Sequence, residues 1–419
     1  MKRSFRMRRN KLLLSFGLVL WLTAMGNAPF AAAQEIGISE TPAIMIAETP
    51  PPNANEAGLV TAEAAGFATP LWAGMTQENL VAQLRAVHRG IESSAVRGVY
   101  LRAILAASEI PMGEKDMIAE RAETLLRTGH TLHAENLLKA VEEGVRKPRQ
   151  KELAFILNVL HGTAKPEAIC NTAAKNLAKK ASPFWQRWVV LCQAKSGETE
   201  KAELGLTLLD ERGQDSELYL KLVQGVLSKK PINSLPQIVY LEHTAWLHFA
   251  GLKAYLQQSK NPPLSYAALY VDHWKKLATQ YGLAGNTPPA VSQETSFTPS
   301  LAYLKLPASG ASAKDKRLAF LAYGLRKAFG QPVSLETEAE LNKHSYEAAQ
   351  IVTSPSWRES IRKAAEAQET GKLALLLAAV LNQPLSQYDV ADIVLAVTAL
   401  YRAGLEADAV ALAKEALSS

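Results

Sequence analysis

From Leu71 to the end of the chain one pattern recurs: apolar residues at helical spacing, interrupted at short intervals by a glycine or a proline. Leu80, Val81, Leu84 and Val87 follow Thr76, a residue suited to capping a helix, and Val96, Val99, Tyr100 and Ile104 repeat the spacing within residues 94–107. Ile118, Ala122 and Leu125 lead to Gly129 and are answered by residues 132–143, which end at Gly144. Pro166 opens a further segment at the helix position where a missing N–H costs nothing. The alternation that marks a half-buried strand does not occur. Such stripes can be buried only by packing helix on helix, so the expected fold class is all-α, built of helical hairpins with short glycine joints. With 419 residues, 48% of them apolar, the chain has ample material for a core, which excludes disorder of the whole.

The N-terminus is of another kind. Lys2, Arg3, Arg6, Arg8, Arg9 and Lys11 precede an apolar stretch at residues 12–22, and Ala31, Ala32 and Ala33 supply a small-residue cleavage site. Residues 1–33 thus read as a signal peptide, because these eleven mainly apolar residues span only about 16 Å as a helix against a bilayer core of about 30 Å. An uncleaved anchor is the alternative; after cleavage no stable transmembrane segment is expected. Lys11 sits where twin-arginine signals carry an apolar residue, which favours the general secretory route, and the destination is periplasmic or secreted. Residues 34–70 hold five Pro, five Glu and no base, and are expected to be a disordered leader. The net charge of +6 comes from the six basic residues of the signal segment, the five Glu of the leader and a mild +5 on residues 71–419. No basic run with interleaved aromatics is present there, so nucleic acid is not an expected partner.

Several hairpins resemble one another. Five residues beyond Gly129, Gly197 and Gly404 stand Ala134, Ala202 and Ala409; nine beyond stand Leu138, Leu206 and Ala413. Before the glycine, Ile118, Ala122 and Leu125 correspond to Ile393, Val397 and Leu400 at identical offsets. This resembles the tetratricopeptide class of helical repeats, and the whole, with its signal and Pro-rich leader, is similar to secreted helical-repeat proteins of alphaproteobacteria. The resemblance implies a right-handed α-solenoid of tetratricopeptide-like hairpins. The expected organisation is a helical-repeat array over residues 71–282, an irregular linker or loop over 283–312, where four Pro interrupt the pattern, and a C-terminal helical-repeat section over 313–419. At Gly197 the pattern departs: Gln186 and Gln193 replace apolar residues, and the stripe shifts to Trp185, Trp188, Val189 and Cys192.

Candidate sites are few. Cys170 and Cys192, the only cysteines, lie eleven residues on either side of Ala181, which places them at equal height in an antiparallel hairpin. In an oxidising compartment that geometry permits a structural disulfide; two buried thiols are the alternative. Residues 240–281 hold eight Trp, Tyr or Phe in 42 residues, against 7% for the chain. Trp246, Tyr266, Tyr270 and Trp274 are the rings expected to line a groove for glycans or peptides, with core packing as the other reading. His130, His133 and Glu135, and Glu242, His243, His248 and His273, are the clusters of histidine with carboxylate, but their spacings are not those of a zinc hydrolase, and no metal is expected. Ser360 and Lys363 match a serine–lysine pair without its companion motifs, and Glu359 with Ser360 lacks the glycine-rich sequence of a lytic transglycosylase. No nucleophile elbow, phosphate loop or dinucleotide fingerprint is present, and no cofactor is expected. The expected function is a non-catalytic binding or scaffolding module of the cell envelope, whose groove takes an envelope protein, a peptide or a glycan. The alternative is an envelope enzyme acting on peptidoglycan or another polymer near Glu242, His243 and His273.

Overall fold

The computed structural model describes residues 54–87, 90–162, 164–213, 216–229, 241–252, 289–291, 293–304, 310–343 and 350–419. All belong to the second of two units, residues 44–419. The expected signal peptide 1–33, residues 34–53 of the expected leader, and Tyr266, Tyr270, His273 and Trp274 lie outside the described residues.

The described chain is all-helical apart from two short strand contacts. The helices are α1 (Gln77–Ala86), α2 (Ser94–Leu105), α3 (Met117–Arg127), α4 (Thr131–Lys139), α5 (Pro148–His161), α6 (Pro166–Lys179), α7 (Pro183–Ser196), α8 (Thr199–Glu211), α9 (Glu217–Ser228) and α10 (Leu241–Ala250). They continue as α11 (Ala313–Ala328), α12 (Leu335–Leu341), α13 (Pro355–Glu366), α14 (Thr370–Val380), α15 (Val390–Arg402) and α16 (Glu406–Ser418). Thr76 caps α1, its Oγ1 accepting from the Asn79 amide at 3.2 Å. Strand β1 (Val60–Thr61) pairs in parallel with β2 (Ala106–Ala107), and a single bridge joins Ile351 to Tyr388.

The glycine joints make hairpins. Gly129, Gly197 and Gly404 have φ of 86°, 84° and 80°, a left-handed conformation in which glycine carries no Cβ penalty. The next amide in each case closes the turn, from His130 to the Leu125 carbonyl at 2.8 Å, Glu198 to Gln193 at 2.9 Å and Leu405 to Leu400 at 2.9 Å. Ala134, Ala202 and Ala409 are fully buried, which lets α3/α4, α7/α8 and α15/α16 close on one another. The pair α13/α14 uses the same turn without glycine: Gln368 takes φ 54°, and the Glu369 amide donates to the Ala364 carbonyl at 2.9 Å.

Two large cores result, with α5 at their junction. Leu153 and Leu157 of α5 face one, shared with α1–α4 and the C-terminal helices; Phe155, Ile156, Val159 and Leu160 face the other, shared with α6–α10. Packing order and chain order differ. Helix α2 lies against both α14 and α16, and α1 against α14, so residues 313–419 are not a separate section but part of the core of the first helices. Arg102 on α2 donates to both carboxylate oxygens of Asp408 on α16 at 2.5 and 2.6 Å, with both side chains nearly inaccessible. Gly371 allows the close approach on this side: a Cβ there would lie 2.5 Å from the Leu71 carbonyl oxygen and 2.8 Å from the Trp72 ring. The described part of the expected linker is also laid on helices. Phe297 packs edge-on against Phe329 at 6.3 Å, Arg326 donates to the Pro299 carbonyl at 3.0 Å, and Leu304 is buried.

The leader boundary requires correction. Residues 54–70, expected to be disordered, are ordered against the helices: Ala57, Ala62, Ala65 and Phe67 are buried. The reason lies in donors far along the chain. Arg121, fully buried, donates to the carbonyls of Ala57, Ile104 and Ala106 at 2.8, 2.7 and 2.8 Å, and Arg102 donates to the Ala65 carbonyl at 3.0 Å. Backbone groups that composition alone leaves to water are thereby satisfied within the protein.

Candidate functional site: a basic groove beside the disulfide hairpin

Helices α4, α5 and α6 and the turn between α4 and α5 enclose a cavity of about 890 Å³. Its floor is apolar, formed by Leu138, Ala154, Phe155, Leu157 and the ring of Trp185 at the start of α7. Its walls carry Lys139, Arg146, Lys151, Lys175 and Lys179 against one carboxylate, Glu135. Glu135 is already engaged: it pairs with Lys139 at 2.6 Å, and His161 Nε2 lies 3.6 Å from its other oxygen. Arg146 is turned toward the protein, donating to the Val141 carbonyl at 3.1 Å. Lys151, Lys175 and Lys179 are exposed and make no side-chain ion pair or hydrogen bond among the described residues. The groove therefore presents three uncompensated cations above side chains that, Ala154 apart, are buried.

Helical periodicity puts these groups together. Thr172, Lys175, Asn176 and Lys179 fall three, four and seven residues apart and share one face of α6, while Lys151, Ala154 and Asn158 share a face of α5. The opposite face of α6 rests on α7, where Cys170 and Cys192 form a disulfide with Cα atoms 5.7 Å apart. Only Ile169 and Ala173 of the fourteen residues of α6 are buried, so the disulfide is a principal tie between this wall and the core. The equal-height geometry of the cysteines is realised, and the bridge fixes the helix that supplies Lys175 and Lys179 to the groove.

The aromatic residues are arranged differently. Trp246 is buried at 2% exposure, packed on Tyr219 at 4.8 Å and stacked on His243 at 5.3 Å, with the Arg187 guanidinium over its face at 5.5 Å. It offers no open ring and does not line the cavity. Trp188, Phe184, Phe155 and Phe249 form the edge-to-face cluster of the same core, and of the tryptophans in the shifted stripe only Trp185 reaches the groove.

The described histidines of the two clusters, His130, His133, His243 and His248, are internal rather than on the surface. His130 and His133 are each 1% exposed, their rings edge-on at 5.5 Å, with Tyr100 and Thr128 in hydrogen-bond contact beside them. Burial, the neighbouring His133 and the Arg97 charge hold His130 well below the ordinary histidine value. Arg187 on α7 reaches Glu242 on α10 at 3.3 Å. Burial raises Glu242 above the ordinary carboxylate range against the pull of Arg187, and burial together with that same cation lowers His243 to about 4. No group of three or more metal-ligating side chains occurs among the described residues. Ser360 donates to the Ser356 carbonyl at 2.9 Å, while Lys363 and Arg362 pair with Glu359 at 3.4 and 3.6 Å, so neither sequence pair is assembled as a nucleophile with its base.

The groove was not singled out by sequence because its cations are scattered from 139 to 179 and form no run; the four-residue spacing on α6 is the one signal that marks a common face. No family profile, no curated protein and no solved structure matches the chain.

Proposed function

We propose that the protein is a non-catalytic binding module of the cell envelope, a stack of tetratricopeptide-like hairpins that holds a partner in the groove between α4, α5 and α6. The observation that carries this reading is the groove itself: a cavity of about 890 Å³ with polar walls on three helices and cations left without partners. Four hairpins with one turn geometry support the repeat architecture. The Cys170–Cys192 disulfide accords with export to an oxidising compartment, as does the signal-like N-terminus, and no described helix is long and apolar enough to cross a membrane. The test places a photo-crosslinking residue at Asn158 in the groove and, as control, at Leu335, which is 83% exposed and outside it, in cells expressing the full chain. A discrete adduct is expected from the groove position and none from the control. No adduct at Asn158, or equal adducts at both, overturns the reading.

A second reading, an envelope enzyme acting on a polymer, finds support in the opposed shifts of Glu242 and His243 beside Arg187. It predicts that Glu242→Gln abolishes release of fragments from isolated peptidoglycan by the full chain while the fold is kept; the binding-module reading predicts no release from either protein.

A further inference from the structure

Resting on the groove reading, we infer that the occupant is an acidic polypeptide segment bound in extended conformation along α6, with carboxylates at alternate positions. The inference comes from matching repeats. Lys175 and Lys179 are one helical turn apart on the wall of the groove. Four residues of α-helix advance about 6 Å, and two residues of an extended strand advance about 6.6 Å. An extended chain laid parallel to α6 therefore brings its first and third side chains opposite the two ammonium groups. Lys151, on the facing wall, supplies a third cation from the other side.

The same match holds for the polar groups beside the lysines on α6. Thr172 and Asn176 keep the spacing of the lysines, and the Asn176 side-chain amide already donates to the Thr172 carbonyl at 2.9 Å, which holds its oxygen as an acceptor for a peptide N–H. Between the two walls the lining side chains are closed off, with Leu138 and Leu157 in the core and Trp185 buried, so contacts to an extended chain come from the helix faces that carry the lysines, Thr172 and Asn176. A flat anionic surface would meet the exposed lysines but bring no N–H to the Asn176 acceptor. Charge selects in the same direction, since the one carboxylate in the groove is neutralised by Lys139 and repels little.

The probe is a fluorescein-labelled twelve-residue peptide of alternating Glu and Thr, titrated by anisotropy against the full chain. Two comparison ligands carry equal charge: a peptide of the same composition with its six Glu contiguous, and a polygalacturonate oligosaccharide. The alternating peptide is expected to bind about tenfold more tightly than either, with affinity falling as salt is raised. The triple variant Lys151→Glu, Lys175→Glu, Lys179→Glu is expected to weaken it about a hundredfold, each reversal replacing an exposed attraction by a repulsion. Reversal of Lys314, exposed, and Lys316, half-buried, on α11 outside the groove is expected to leave it unchanged. Circular dichroism confirms that each variant is folded. Equal binding of the two peptides, tighter binding of the oligosaccharide, or equal loss in the two charge-reversal variants overturns the inference. Tighter binding of the oligosaccharide, abolished by the groove variant, overturns the peptide assignment alone and leaves the groove as a binding site.

Discussion

The two walls of the groove are held in opposite ways. Helix α4 buries five of its nine residues, Thr131, His133, Ala134, Leu137 and Leu138, and belongs to the core that joins the first helices of the chain to the last. Helix α6 buries two of fourteen, packs chiefly on α7, and is tied to it by the disulfide. One wall thus inherits the cooperativity of a large core, whereas the other depends on a local covalent link. A groove built this way has one wall whose position follows global stability and another that can open by itself.

The largest effect is expected where the first kind of support is broken. Arg121 sits at 0% exposure with its guanidinium spread over the carbonyls of Ala57, Ile104 and Ala106, and burial without a carboxylate partner lowers it to about 10. Arg121→Met leaves three buried acceptors without donors, at roughly 1–3 kcal/mol each. Even with partial rescue by water, a loss of about 4 kcal/mol in global stability is expected from urea denaturation, together with early proteolysis within residues 54–70. A variant as stable as the parent would show that the guanidinium is incidental to the fold.

Removing the disulfide tests the other wall. The double variant Cys170→Ser, Cys192→Ser opens a 22-residue loop, for which the chain-entropy account gives about 3 kcal/mol. Because α6 contributes little to either core, the loss is expected to appear locally: amide exchange within α6 accelerates by about a hundredfold while α3 and α4 keep their protection. Equal acceleration in α4 and α6, or none in α6, would contradict the asymmetry between the walls.

How much of this was readable beforehand follows from which interactions are local. The turns at Gly129, Gly197 and Gly404, the buried alanines beyond them and the level placement of the cysteines were legible, because each depends on offsets within a single hairpin. The α13/α14 hairpin hides its membership of the same set: Trp357, Ile361 and Ala364 stand at the offsets of Ile118, Ala122 and Leu125, but its left-handed position is filled by Gln368 instead of glycine. The packing of the chain's last helices on its first was not legible either. Arg102 and Asp408 are 306 residues apart, and nothing in local periodicity distinguishes a buried arginine from a solvated one. The groove suffered the same loss, since its lysines become neighbours only when α4, α5 and α6 are side by side.

Acid should separate the two walls most finely. His130 stands at the start of α4, buried with its Nδ1 unpartnered among the described residues, and His133 and the Arg97 charge oppose its protonation. Its folded value lies well below 6.5, whereas in the unfolded chain it takes up a proton near 6.5. Below that pH the unfolded state binds the extra proton and the folded state does not, so the contribution of His130 to stability is complete above about pH 6.5 and is lost as the pH falls toward its folded value. Glu242 and Asp408, raised by burial, act with the opposite sign nearer the carboxylate range. They cancel when the parent is compared with His130→Gln, whose neutral side chain removes the titration whatever its own effect at neutral pH. Urea midpoints measured at about pH 6.5 and about pH 5 are expected to fall less in the variant than in the parent, and identical slopes would remove His130 from the account. Carried out in the disulfide-free variant as well, the comparison becomes sharper: the acid effect should add to the loss from reduction without interacting with it, because protonation loosens the core behind α4 and the cysteines govern only α6.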